Sequence, residues 1–366
     1  MKTAFLAFIP CEDNLPTDKN FSNVGQNSGN IVFSNSLQTT IKCEPVTTAQ
    51  LSKRANEFDN LVVRDFVSLR ESTDLLYFSN ILKYMKDKPI IPISIGVQSA
   101  DMNPNFTFQP SALRVLEELQ ERAVLGVRGE YTAYILNKYG IQNIRVIGCP
   151  SMYLDANYNR KIQKKDFSEV KKVLSNYRTI SNAVDNPIDL AIFDYMSKNT
   201  EVFVEQTKLW AGPSVTQNAL KPYLNFLVKN RKYFFIFKDW FDFVKDYDFC
   251  IGGRFHGNVV PVLAGVPSLF IAIDSRTKEL TDFFDFPTIL REDFDPSKSL
   301  EYYYELADYS EFNKNYPKNL DNFIRFCLDN NLELTSGTQQ YFHRKQKGLA
   351  KKLEKLESLL HAQEMS

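Results

Sequence analysis

Short apolar runs alternate with helix-patterned segments along most of this chain, and that alternation restricts the fold more than any other feature. In the first half, Thr3–Ile9, Leu61–Phe66, Ile90–Gly96, Ala123–Val127 and Ile144–Ile147 read as strands. They are mostly apolar on both faces, as strands of a covered parallel sheet must be. Between them, Ile31–Ile41, Leu75–Lys86, Pro110–Glu121 and Glu130–Tyr139 carry apolar residues at helical spacing. Pro110 and Ser111 are start signals, Gly140 is a stop, and Ile31–Ile41 opens directly from the Gly/Asn/Ser loop Asn23–Asn30. Strand, helix and strand in turn predict a doubly wound α/β domain.

The texture changes over Asp155–Lys172, which is polar and rich in Lys and Asn and reads as an inter-domain passage. The alternation then resumes. Leu190–Phe193, Glu201–Val204, Tyr233–Phe237, Phe249–Ile251 and Ser268–Ile273 read as strands. Ala219–Lys229, Trp240–Val244 and Asn258–Leu263 read as helices. At 366 residues the chain is longer than one core usually organises. The expected organisation is two Rossmann-like domains facing a cleft, residues 1–155 and 165–310, followed by C-terminal helices over 311–366. Within the last segment, 339–362 is a basic amphipathic tail, with Leu349, Leu353, Leu356 and Leu360 spaced by four and three among lysines. It reads as a terminal helix with a solvated basic face, or as a surface for self-association or peripheral membrane contact.

Composition removes several functions. Forty-four Lys+Arg balance 44 Asp+Glu, so the excess positive charge of a sequence-independent nucleic-acid binder is missing. No apolar run approaches the roughly 18 residues of a membrane span. Five scattered cysteines without a C-x-x-C pair, and only three histidines, predict no metal site and suit a reducing, cytoplasmic compartment. The start, Met1 to Cys11, loosely imitates a lipoprotein signal. Its apolar stretch is short, however, and Pro10 abuts the supposed cleavage point, so it reads as the first strand.

The most informative stretch is Ile251-Gly252-Gly253-Arg254-Phe255-His256-Gly257-Asn258. A strand ends in two glycines, and an arginine, an aromatic residue and a histidine follow just before a helix. The helix N-terminus supplies free N–H groups for an anion, and Arg254 adds a fork suited to carboxylate or phosphate. His256 is the only histidine outside the C-terminal tail. Its unperturbed pKa lies near neutrality. Gly126-Val127-Arg128-Gly129 ends a strand of the first domain in the same style. If both loops face one cleft, Arg128 and Arg254 clamp a small, doubly anionic ligand; an ion pair with Glu130 explains Arg128 as well. Asn27-Ser28-Gly29-Asn30 opens a helix but lacks G-x-G-x-x-G and G-K-[ST], so no nucleotide cofactor is predicted. Gln98 ends another strand on the same side, and Cys149, with no histidine near it in sequence, reads as a buried thiol rather than a nucleophile.

Taken in order, these stretches resemble the polysaccharide pyruvyl transferase family over roughly residues 20–290. The strongest part is Gly253-Arg254-Phe255-His256-Gly257 followed by Ala264-Gly265-Val266-Pro267; Asp274-Ser275-Arg276-Thr277 closes the pattern. The resemblance implies a GT-B-like architecture and phosphoenolpyruvate as co-substrate, with no other cofactor. It implies Arg128 and Arg254 on the donor's carboxylate and phosphate, and His256 at the reacting carbons. Phe255, Gly257 and Asn258 would lie beside the anion. Asn27, Gly29, Asn30, Gln98 and Arg276 are candidates for the acceptor side or the cleft. The implied acceptor is a sugar of a bacterial capsular, exo- or cell-wall polysaccharide or of its lipid-linked precursor. Two departures stand out. Many members have Gly-Asp-Pro where this chain has Gly148-Cys149-Pro150, and many have lysine near Arg276. The rival expectations are a nucleotide-sugar glycosyltransferase on the same scaffold and a non-catalytic carbohydrate-binding or assembly protein.

Overall fold

The computed structural model describes residues 1–12, 15–64, 66–99, 101–178, 186–208 and 224–343. Six strands of the first half are β1 (Thr3–Leu6), β2 (Glu44–Val46), β3 (Asn60–Val63), β4 (Ile90–Pro92), β5 (Leu125–Val127) and β6 (Ile144–Val146). Their order is β2-β1-β3-β4, all parallel. Just past β4, Ile95 pairs in parallel with Val127, which continues the layer into β5 and β6. Six strands of the second half are β7 (Val173–Asn176), β8 (Val202–Val204), β9 (Arg231–Lys232), β10 (Phe249–Gly252), β11 (Ser268–Ala272) and β12 (Thr288–Leu290). They form one parallel sheet in the order β12-β11-β10-β7-β8-β9. Read from the other edge this is the doubly wound order, which reverses between β7 and β10.

Alternation along the strands sends side chains to two faces. Phe5, Val62 and Ile91 share one buried cluster with the second sheet, whereas Ala4, Leu6, Leu61 and Val63 pack on the opposite side. The helix Gly29–Thr40 and the 3-10 segment Pro150–Ala156 fill the layer between the sheets. The helix Ser310–Asp329 then carries the chain back to the first sheet. Phe323 stacks on Tyr153 with centroids 4.5 Å apart. Asn330 Nδ2 donates to Val124 O at 3.1 Å, and its Oδ1 accepts from Val124 N at 2.9 Å.

The structure differs from the sequence reading at several elements. Leu190–Phe193 lies inside the helix Pro187–Asn199, which Asn186 caps through Ile188 N at 2.9 Å and which Pro187 opens. A four-residue apolar run fits either state, and the start signals decide it. Only Arg231–Lys232 pairs as a strand near the expected Tyr233–Phe237; Tyr233 and Phe235 instead set their rings edge-on against Phe21. Strand β7 falls just after the presumed passage, and β2 and β12 were not anticipated. The helix after β10 begins at Phe255, not Asn258. Residues 219–223 of one expected helix and 344–362 of the basic tail lie outside the described residues. Among the described residues no helix is long and apolar enough to cross a membrane.

Candidate anion-binding site

The carboxyl ends of β7 and β10 adjoin where the strand order reverses, the place where open α/β sheets bind ligands. Asn176, at the end of β7, accepts from Arg254 N through Oδ1 at 2.8 Å and so fixes the loop after β10. Arg254 caps the helix Phe255–Leu263, placing His256 in its first turn. From β8, Glu205 turns the chain by accepting from Gln206 N and Thr207 N, each at 3.1 Å, and from Thr207 Oγ1 at 2.9 Å. Thr207 Oγ1 in turn accepts from Arg254 Nη2 at 3.0 Å. Arg254 Nε is buried with no partner among the described residues. Burial pulls the Arg254 pKa down, the nearby Glu205 charge opposes this, and a guanidinium stays cationic regardless.

The first sheet supplies Arg128 at the end of β5. It is 8% exposed, and Nε donates to Ser94 Oγ at 3.1 Å. Its terminal nitrogens have no protein partner among the described residues. Burial is again the main influence on its pKa, downward.

His256 meets both domains. Ser151 Oγ lies 2.9 Å from Nε2, and Cys149 Sγ lies 3.9 Å from the same atom. Nδ1 faces the start of the helix Gly29–Thr40 so closely that a Cβ on Gly29 would sit 2.8 Å from it and 2.7 Å from Gln206 Oε1. Glycine is therefore required there. Burial, reinforced by the Arg128 charge, holds the imidazole pKa down at about 3, so the ring is neutral near pH 7. Burial pushes the Cys149 thiol up, which keeps it protonated and suppresses thiolate chemistry.

A cavity of about 140 Å³ lies between the sheets. Arg128, Arg254 and Arg276 line it together with Phe255 and His256, and Asn27 and Asn30 border it from the first domain. Among the described residues none that lines it is acidic. Arg276 is the partly neutralised member: Nη2 donates to Asp274 Oδ2 at 2.7 Å, and Nη1 donates to Ser68 Oγ at 3.1 Å.

Four residues singled out from sequence stand elsewhere. Asn258, expected beside the anion, is fully buried and occupied internally: Nδ2 donates to Gly252 O at 2.8 Å, and Oδ1 accepts from Asn176 Nδ2 at 3.2 Å. Its helical position points it back at the sheet, because the helix starts a turn earlier than expected. Gly257 packs on Asn176 rather than on the cavity. Gln98 sits at the inter-domain contact, donating to Asp274 Oδ2 at 3.5 Å. Gly29 lies beside His256 without lining the cavity.

Sequence reasoning missed Ser151, Gln206 and Glu205. Each follows the carboxyl end of a strand, and that shared topological level was the available signal. It also missed Glu279, 3% exposed, which spans the domains by accepting from Thr132 N at 3.0 Å and Thr132 Oγ1 at 2.8 Å. Burial pushes its carboxyl pKa up to about 7. Among the described residues no group of three or more His, Cys, Asp and Glu is placed to hold a metal ion.

Fold and site together define a GT-B-like protein, two Rossmann-like domains facing a cleft that carries unspent arginine donors. The chain belongs to the polysaccharide pyruvyl transferase family, whose match covers residues 64–275. No curated protein matches it in sequence. Solved structures similar to it include a functionally uncharacterised protein from Klebsiella pneumoniae, 13% identical, with a TM-score of 0.42, covering 79% of this chain and 92% of that one. The wall teichoic acid polymerase TagF is 15% identical, with a TM-score of 0.40, over 96% of this chain and 90% of that one. MnaA of S. aureus with UDP is 12% identical, with a TM-score of 0.40, over 75% and 81%.

Proposed function

We propose that this chain transfers the pyruvyl group of phosphoenolpyruvate onto two hydroxyls of one sugar in a polysaccharide or its precursor, forming a cyclic ketal and releasing phosphate. The observation that carries this reading is a cavity lined, among the described residues, by three arginines and no carboxylate, with His256 at its wall. A compact trianion suits that charge. The volume of about 140 Å³ falls below the roughly 300–1,000 Å³ typical of sites for drug-sized ligands, which favours a three-carbon donor over a nucleotide sugar.

In this mechanism Arg128 and Arg254 take the donor's carboxylate and phosphate with the donors they leave unspent. Neutral His256 is ready to act as a base toward the first sugar hydroxyl. Protonation of the donor's methylene carbon makes its central carbon electrophilic, and the sugar oxygen bonds there. The bond from that carbon to the phosphate oxygen breaks, and the second hydroxyl closes the ring. Of the two hydroxyl protons, one ends on the new methyl group and the other on phosphate. Having taken the hydroxyl proton, His256 is the imidazolium that supplies the methylene proton, and the bound trianion stabilises that charge while it lasts. Fixed guanidinium groups stabilise the departing phosphate without reorganising.

The test is a thermal-shift titration of wild type and Arg254→Ala with phosphoenolpyruvate, UDP and GDP. A ligand at about 100 times its Kd stabilises by roughly 2.7 kcal/mol. Stabilisation by phosphoenolpyruvate alone, lost in Arg254→Ala, is the expected result. Stabilisation by a nucleoside diphosphate instead would make the chain a glycosyltransferase and overturn the reading.

A further inference from the structure

Resting on the pyruvyl-transfer reading, we infer that a second pocket beside the arginine cavity is the seat of the acceptor, and that it takes an uncharged pyranose ring. This pocket, about 270 Å³, is formed by the loop after β1 (Ala7 to Cys11), the helix Gly29–Thr40, Pro45 of β2 and Phe237 of the second domain. It lies at the carboxyl end of β1, on the side of the edge strand β2. Asn30 lines both this pocket and the arginine cavity, so the two compartments meet at one side chain.

The two linings are chemically opposite. Among the described residues none around this pocket is charged, whereas its neighbour holds three arginines. Phe8, Phe237, Pro10 and Pro45 offer apolar faces for the C–H surfaces of a ring. Arg64 sits over the Phe8 ring, 3.1 Å from its centroid, and fixes that wall. Polar groups are interspersed along one helix. The carboxamide of Asn35 has no protein partner among the described residues. Among the described residues Asn30 engages only Nδ2, with Val24 O at 2.9 Å, and Gln38 only Nε2, with Ser34 O at 3.1 Å, leaving both amide oxygens as acceptors for hydroxyl groups. Ser34 keeps a buried hydroxyl without a partner among the described residues. Apolar walls with a few convergent, uncharged hydrogen-bonding groups are what a neutral polyhydroxylated ring requires. A charged sugar would leave its charge unpaired there. Held in this pocket, the ring presents its hydroxyls past Asn30 to the donor carbon.

The experiment measures binding to the full chain by saturation-transfer NMR, using a panel of methyl pyranosides (gluco, galacto, manno and N-acetylglucosamine) at millimolar concentration. It is run with and without phosphoenolpyruvate, on wild type, Asn35→Trp and Phe237→Leu. Asn35→Trp fills the pocket, and Phe237→Leu removes an aromatic face from the other domain, so a folding failure in one leaves the other to decide. At least one pyranoside is expected to bind wild type and to lose about tenfold or more in affinity in a folded variant. Both variants should keep the wild-type response to phosphoenolpyruvate, because neither residue lines the arginine cavity. No pyranoside signal with wild type, or a signal unchanged in the folded variants, overturns the assignment. Silence toward phosphoenolpyruvate in wild type sinks the donor reading alone and leaves the sugar result standing.

Discussion

His256 is held neutral by burial and by Arg128, and Ser151 Oγ engages one of its two ring nitrogens. A neutral ring with a fixed partner is a base with a set orientation. His256→Ala should lower turnover by about 10²–10⁴-fold while retaining the thermal shift with phosphoenolpyruvate. Unchanged turnover would remove the histidine from the chemistry. Ser151 acts through His256 as a positioning residue, so Ser151→Ala should lower kcat, leave the donor KM alone and displace the acid limb of the pH–rate profile. An unmoved profile would reduce the serine to a packing contact. Arg254→Lys should raise the donor KM by roughly tenfold or more, since an ammonium cannot replace a guanidinium that also spends Nη2 on Thr207. At this scale the sequence marked His256, Arg254 and Arg128 because each stands beside glycine at a strand end. It could not mark Ser151 as their companion, because 105 residues separate it from His256.

Among the elements, the helix Ser275–Phe283 touches the helix Glu130–Lys138 through Glu279, whose carboxylate lies at the partner helix's N-terminus. Burial raises the Glu279 pKa from 4.5 to about 7, so the folded protein binds more protons than the unfolded chain between those values. Stability from this group is present below pH 4.5 and is lost as pH rises through about 7. His256 acts in the opposite sense. Its folded pKa of about 3, against 6.5, removes stability as pH falls through that window. Glu279→Gln keeps an acceptor for Thr132 N without the charge. Its melting temperature relative to wild type should therefore rise between pH 4.5 and about 7 and level off above. A difference independent of pH would contradict this coupling. The errors in reading elements have local causes. Leu190–Phe193 is too short a run to separate strand from buried helix, and β7 is a four-residue run directly after Lys171 and Lys172, with too little apolar pattern of its own to stand out.

For the whole molecule, the layer between the sheets decides cooperativity. Phe5, Val62 and Ile91 of the first sheet share one apolar cluster with Leu174, Ile251 and Phe270 of the second, and the helix Ser310–Asp329 closes it through Phe323 on Tyr153. Calorimetry should therefore show one unfolding transition, where two separable transitions would mean that the sheets hold independent cores. Phe323→Ala should cost about 3–5 kcal/mol and move the whole transition. Periodicity, strand-end glycines and charge balance are properties of neighbouring residues, so the sequence by itself determined the layered α/β class and the chemistry available at the strand ends. Which of those ends meet is set by packing between residues a hundred or more positions apart. Only the tertiary structure could place Arg128 and Arg254 on one cavity, seat Ser151 and Gly29 against His256, and turn Asn258 into the core, because those contacts depend on how two sheets pack and not on any local pattern.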